Sequence, residues 1–225
     1  MAKQDLISAA VEDYAKAIYA LQVETDGPVT NNALAERLSV SAASASNMVK
    51  KLDGLGLVSH APYRGMELTP AGRRVALEVL RHHRLLELYL ARSLGVPWDR
   101  VHDEAEVLEH HISEELEELI ATKLGNPTRD PHGDPIPTRD LVMIEEPCCT
   151  LDSLEPGQRG RFTRISDHDP EMLRYLAERG IAPGDAFEVV DKHPFGGPLF
   201  VRFGHGDVLV VGGLLAAAMR VEEAA

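Results

Sequence analysis

His102, Glu106, Glu109 and His110 stand at i, i+4, i+7 and i+8 in VHDEAEVLEHHISEELEELI. If that segment is helical, the spacing sets four nitrogen and oxygen donors on one stripe. His83 and Glu87 stand at i, i+4 in RHHRLLELYL, on the preceding helical run. So many ionisable groups at one helix interface are costly to bury unless a cation lies among them. The apolar positions Leu108, Ile112, Leu116, Leu119 and Ile120 define a separate face, so the stripe is expected to run beside a buried seam. EELEEL, residues 114–119, reads as a solvated face. His82 and His111 flank the donors but point elsewhere by helical phase. The chemistry expected is that of a divalent metal held by imidazole and carboxylate.

These donors need helices to carry them. Residues 5–24 read as a first helix with an Ala-rich apolar face, ended by Gly27-Pro28. Asn31–Leu38 and Ala42–Leu55 read as two more, joined by the turn Ser39-Val40-Ser41. LVSHAPYRGMELT gives two short alternating runs around Pro62-Tyr63-Arg64-Gly65, a β-hairpin. Thr69 as N-cap and Pro70 at the first position restart a helix. Helices over 70–94 and 99–124 are predicted, separated at Gly95-Val96-Pro97. Residues 125–147 are rich in Pro, Gly and Asp and read as a linker. Beyond them GRFTRIS, DAFEVVD, PLFVRFG and DVLVVGG alternate like strands, with one helix over 170–179. The fold class expected is mainly α with a small β domain. The domains expected are a winged helix-turn-helix over 1–73, a helical dimerisation and metal-binding domain with its linker over 74–146, and a barrel-like domain over 147–225.

The 225 residues suffice for several small cores. No signal peptide and no run long enough to span a bilayer are read, so a cytoplasmic protein without a membrane partner is expected. Cys148 and Cys149 are adjacent and read as plain thiols of a reducing compartment. The net charge of −13 is uneven: residues 1–75 balance to 0, residues 76–130 carry −6 and residues 131–225 carry −7. Overall acidity excludes non-specific nucleic-acid binding by the whole surface, but not a reading head on the neutral first segment.

That head has helix, turn, helix and hairpin in order, with the second helix expected in the major groove and the hairpin at the backbone. Ser41, Ala43, Ser44, Ser46, Asn47, Lys50 and Lys51 supply small polar contacts and two cations, and Arg64 is on the hairpin tip. Serine is a poor helix former, so something besides propensity selects it here. Double-stranded DNA is the expected partner.

VEDYAKAIYAL, LAERLSVSAASASNMVKKLDGLGLV, YRGMELTPAGR, HHRLLE, VHDEAEVLEHHIS and PHGDPIPT, in this order, make the chain resemble the diphtheria-toxin-repressor family of metal-dependent regulators. The resemblance covers nearly the whole chain. It implies an SH3-like (FeoA-like) third domain and a homodimer in which bound metal enables binding to a pseudo-palindromic operator. Iron-responsive members carry Met and Cys where this chain has Asp13 and Glu106. Hard carboxylates in place of soft sulfur suit Mn(II). The resemblance therefore implies a Mn(II)-dependent repressor of metal homeostasis, with Fe(II), Co(II) or another divalent metal as substitute. Its primary site would be Asp13, Glu106, Glu109 and His110. Short manganese regulators have Glu where this chain has Lys16, which argues against their binuclear cluster. A second site would use His83, Glu87 and His102, with Asp169 or His168 from the third domain. Asp130 and His132 stand where some members have a Cys-Pro-His turn, and are added as donors.

The alternatives are an Fe(II)-responsive repressor of the same family, a metal-dependent hydrolase, or a metal buffer. A hydrolase needs an open coordination position and a substrate cleft. No nucleophile or oxyanion hole is legible, so no enzyme and no small-molecule substrate is expected.

Overall fold

The computed structural model describes residues 7–61, 65–144, 146–165 and 169–224. The helices are α1 (Ala9–Thr25), α2 (Asn31–Arg37), α3 (Ala42–Gly54), α4 (Pro70–Leu94), α5 (Val101–Leu108), α6 (Glu114–Lys123), α7 (Pro170–Ala177) and α8 (Gly213–Ala218). The strands are β1 (Val58–Ala61), β2 (Gly65–Leu68), β3 (Cys149–Thr150), β4 (Arg159–Ile165), β5 (Ala186–Lys192), β6 (Leu199–Phe203), β7 (Val208–Val211) and β8 (Met219–Glu223). No helix among the described residues is long and apolar enough to cross a membrane. Two compact units form: Met1–His83 with Leu108–Ser113 and Pro137–Met143, and Arg84–Val107 with Glu114–Ile136 and Ile144–Ala225.

In the first unit, α1, α2 and α3 share one core. Val11, Ile18 and Leu21 meet Leu34 and Ala35 of α2 and Ala45, Val49 and Leu52 of α3. The α3 positions fall at i, i+4 and i+7, so its other face stays in water. Thr30 and Ser41 cap α2 and α3, each accepting from the backbone N–H three residues on. The hairpin β1–β2 is antiparallel, with Val58 opposite Leu68. Thr69 Oγ1 accepts from Gly72 N at 3.2 Å, which starts α4. Leu141 and Met143 pack against Ala15, Tyr19, Ala76 and Leu77, and Arg81 donates to Pro137 O at 2.7 Å.

The second unit holds an antiparallel six-stranded sheet in the order β3-β8-β4-β5-β6-β7. Its core is Phe162, Ile165, Leu173, Leu176, Val189, Val201 and neighbours. The alternating runs of the sequence account for four strands and one helix; β3, β8 and α8 are additional. The expected helix over 99–124 is broken. α5 stops at Leu108, and residues 109–113 form a turn before α6. Glu109 and His110 therefore leave the helical stripe. The apolar seam also differs, since only Ile120 is buried, while Leu108, Leu116 and Leu119 are exposed.

Candidate metal centre and nucleic-acid interface

The turn after α5 brings Glu109 and His110 to α1. His110 Nε2 lies 2.9 Å from Asp13 Oδ1 and 3.4 Å from Glu109 Oε1. One donor atom from each of Asp13, Glu109 and His110 falls within 4.8 Å of the others. His110 Nδ1 is 2.6 Å from Glu12 Oε2. A carboxylate only accepts, so Nδ1 donates to Glu12 and holds the ring with Nε2 toward Asp13 and Glu109.

Glu109 is sealed from solvent, yet both its oxygens are bonded. Oε1 accepts from Lys16 Nζ at 2.7 Å and Oε2 from His83 Nδ1 at 2.5 Å. Its backbone carbonyl accepts from His82 Nδ1 at 3.2 Å. Burial pushes the Glu109 carboxyl up, but the hydrogen bond from His83 and the Lys16 ammonium outweigh it and hold it below the ordinary value. Glu12, Lys16 and His82 were not among the expected site residues. Lys16 places a positive charge on the central Glu109 carboxylate.

A second cluster forms in the other unit. Glu87, Asp130 and His132 are buried, with one donor atom of each within 4.8 Å of the others. Asp130 Oδ1 accepts from the backbone N–H of His132 at 2.8 Å and of Asp134 at 2.9 Å, so the carboxylate shapes its own loop. His132 Nε2 lies 2.8 Å from Trp98 O. A carbonyl only accepts, so Nε2 carries the proton and Nδ1 is a lone pair. That Nδ1 has no hydrogen-bond partner among the described residues and faces Glu87 Oε2 at 3.9 Å. Burial first, then Asp134 and Glu87, push the Asp130 carboxyl well above its ordinary value, against the pull of Arg84. A buried basic nitrogen beside two buried carboxylates fits a hard divalent cation.

The remaining expected ligands are placed as follows. His102 Nδ1 is 3.4 Å from Glu87 Oε1, and its Nε2 is 3.8 Å from Glu106 Oε1 one turn on. His83, grouped by sequence with Glu87 and His102, bonds Glu109. Asp169 caps α7, its Oδ1 accepting from Glu171 and Met172, and joins neither cluster. His168 lies outside the described residues.

On α3, Ala43, Ser44, Asn47, Lys50 and Lys51 are exposed and Ser46 is half-buried. Ser44, Asn47 and Lys51 recur at i, i+3 and i+7, opposite the buried Ala45–Val49–Leu52 face. Ser41 caps the helix, and its Oγ lies 2.9 Å from Ser44 Oγ. Asn31 Nδ2 donates to Ala42 O at 3.0 Å and fixes the start of α3, a support the sequence reading missed. Arg64 lies outside the described residues.

A helix-turn-helix with a hairpin wing, sharing its core with the helix that sets Asp13 beside Glu109 and His110, has the make-up of a metal-dependent DNA-binding regulator. Residues 6–66 match the iron-dependent repressor N-terminal DNA-binding domain, residues 69–138 the iron-dependent repressor metal-binding and dimerisation domain, and residues 149–223 the FeoA domain. The iron-dependent repressor IdeR of Mycobacterium tuberculosis is 34% identical, covering 94% of this chain and 96% of its own. The diphtheria toxin repressor of Corynebacterium diphtheriae is 30% identical, covering 98% and 99%. A solved manganese-dependent transcriptional repressor in complex with manganese superposes with a TM-score of 0.86 at 43% identity, covering 95% of this chain and all of that one. The chain belongs to the diphtheria-toxin-repressor family of metal-dependent transcriptional repressors, with a FeoA-type SH3-like third domain, and is not an enzyme.

Proposed function

We propose that this repressor responds to Mn(II) and, as a cytoplasmic homodimer, binds a pseudo-palindromic operator to control metal homeostasis. The observation that carries the reading is the convergence of Asp13, Glu109 and His110, a donor set of carboxylate and imidazole without sulfur. Glu106 is proposed as a further ligand on the family resemblance. The proposed second site is Glu87, Asp130 and His132, supported by the orphaned His132 Nδ1. His102 is retained there as a neighbour of Glu87; His83 and Asp169 are retained on the family resemblance. The domain division at 73 and 146 is likewise proposed from sequence.

A divalent cation at the first site supplies a Coulombic tie between α1 and the 109–113 turn. Asp13 takes part from α1, and Glu12 holds the His110 ring in place. α1 shares its core with α3, so fixing α1 fixes the reading helix. Fixing α1 in this way would shift the population toward the DNA-binding arrangement, and operator DNA would tighten metal binding in return. At the DNA, Ser41, Ala43, Ser44, Ser46, Asn47, Lys50 and Lys51 are proposed to make the contacts, with Arg64 on phosphate. Exposed Leu116 and Leu119 of α6 offer apolar surface for a second copy.

The test is an operator selected from random duplexes in Mn(II), then titrated with Mn(II), Fe(II), Co(II) and Zn(II) at fixed salt. Activation by Mn(II) at micromolar levels is expected. Activation by Fe(II) with none by Mn(II) would make the chain an iron-responsive repressor, and metal-independent binding would refute metal control.

A further inference from the structure

Lys16 lies on α1 one turn after Asp13. Its Nζ is 2.7 Å from Glu109 Oε1, the oxygen that also faces His110 Nε2 at 3.4 Å. The second oxygen of Glu109 is held by His83. The buried carboxylate that would serve the first metal site is therefore already matched by a full positive charge from the chain itself.

We propose that Lys16 is a tethered cation that competes with the divalent metal for Glu109, and so sets the metal concentration at which the Asp13–Glu109–His110 site fills. This rests on the proposed metal reading of that site. An ammonium and a dication cannot share one carboxylate oxygen without strong like-charge repulsion. Lys16 must then withdraw before Glu109 can coordinate. Its side chain is built for that, being 18% exposed while Glu109 is fully covered, on a flexible four-carbon stem with a well-hydrated head. Without metal, the same ammonium supplies the counter-charge that a buried carboxylate needs. Lys16 thus has two opposed effects. It stabilises the metal-free protein and weakens metal binding, which a side chain serving only to pack α1 would not do.

The test uses the full chain with Lys16→Met, Lys16→Arg and Asp13→Ala, titrated with MnCl2 by calorimetry and melted with and without Mn(II). Lys16→Met is expected to bind Mn(II) about tenfold tighter at the first site. Its metal-free Tm should fall, and its Mn(II)-induced rise in Tm should exceed that of the native chain. Lys16→Arg, which keeps the charge, should stay within about threefold. Equal or weaker Mn(II) binding by Lys16→Met would overturn the proposal, as would an equal drop in Tm with and without metal. If Lys16→Met does not fold, Lys16→Gln gives the same comparison. Mn(II) binding lost in Asp13→Ala but untouched by Lys16→Met would sink only the role of the lysine. Binding untouched by Asp13→Ala would sink the metal site itself, and the proposal with it.

Discussion

Gly133→Ala tests whether the Asp130–His132 loop is seated by backbone contact with the third domain's sheet. Gly133 has φ +90°, and a Cβ there would lie 1.9 Å from Thr163 O and 2.8 Å from Arg164 Cα. Both neighbours are backbone atoms of β4, so no side chain can swing aside. Next to it, Ile165 N donates to His132 O at 2.9 Å, and that bond must break if the loop lifts away. Overpacking costs about 1–3 kcal/mol, and left-handed backbone with a side chain about 1–2 kcal/mol. The sum is about 2–5 kcal/mol. For a chain of this size each kcal/mol lowers Tm by about 2–4 °C, so a drop of about 10 °C is expected. Gly157→Ala is the control: its φ is also +90°, but nothing lies within 4 Å of the added carbon. Scanning calorimetry should show only the smaller, conformational loss there. Equilibrium dialysis against Mn(II) should show fewer ions bound by Gly133→Ala than by Gly157→Ala. Equal Tm values for the two variants would refute the tight approach, and undiminished Mn(II) binding would refute the claim that the loop builds a metal site.

Glu87→Ala should lower metal stoichiometry while leaving some metal-dependent DNA binding, whereas Asp13→Ala should abolish activation; equal losses in paired operator binding would show the sites to be inseparable. Asp13→Met with Glu106→Cys should move the response from Mn(II) toward Fe(II) or Co(II), and an unchanged ranking in the same titrations would refute the ligand assignment. Lys51→Ala should weaken binding to all duplexes and flatten the salt dependence by about one unit per lost phosphate contact, while Asn47→Ala should alter sequence preference; an intact salt slope would place Lys51 off the DNA. Glu109 has a folded-state pKa below its ordinary value, so its stabilisation is complete above about pH 4.3 and is lost as pH falls through the folded pKa. Urea melts of the metal-free protein from pH 6 to 3 should show that loss in the native chain and a flatter curve in Glu109→Gln.

The reading head was legible because its signals are local. Caps at Thr30 and Ser41, the buried spacing of Ala45, Val49 and Leu52, and Thr69-Pro70 each act within a turn or two of chain. The break after Leu108 was not, because helical spacing of the donors continues through residues 109–113. The available signal was Ser113 before an acidic first turn of Glu114, Glu115 and Glu117, which is how a new helix starts. β8 was missed because MRVEE follows an Ala-rich stretch and pairs only with distant strands. Glu109 and His110 were named from their spacing with His102 and Glu106, and Asp13 from the family resemblance. The role of Lys16 was not legible, because its distance to Glu109 spans 93 positions of sequence and exists only in the fold. The bond from His83 to Glu109, 26 positions apart, was hidden for the same reason.

Leu141 and Met143 close over Ala15, Tyr19, Ala76 and Leu77 from a stretch far beyond the reading head. During synthesis, α1 to the start of α4 emerges first, with that patch bare until residue 143 has left the ribosome. The DNA-reading unit is thus finished late, after α5 and α6 have been made. A message or chain cut short before that point would yield a head with its winged fold encoded in full but one apolar flank open. Such a fragment would carry an exposed apolar surface of the kind that makes a partly made chain prone to aggregate.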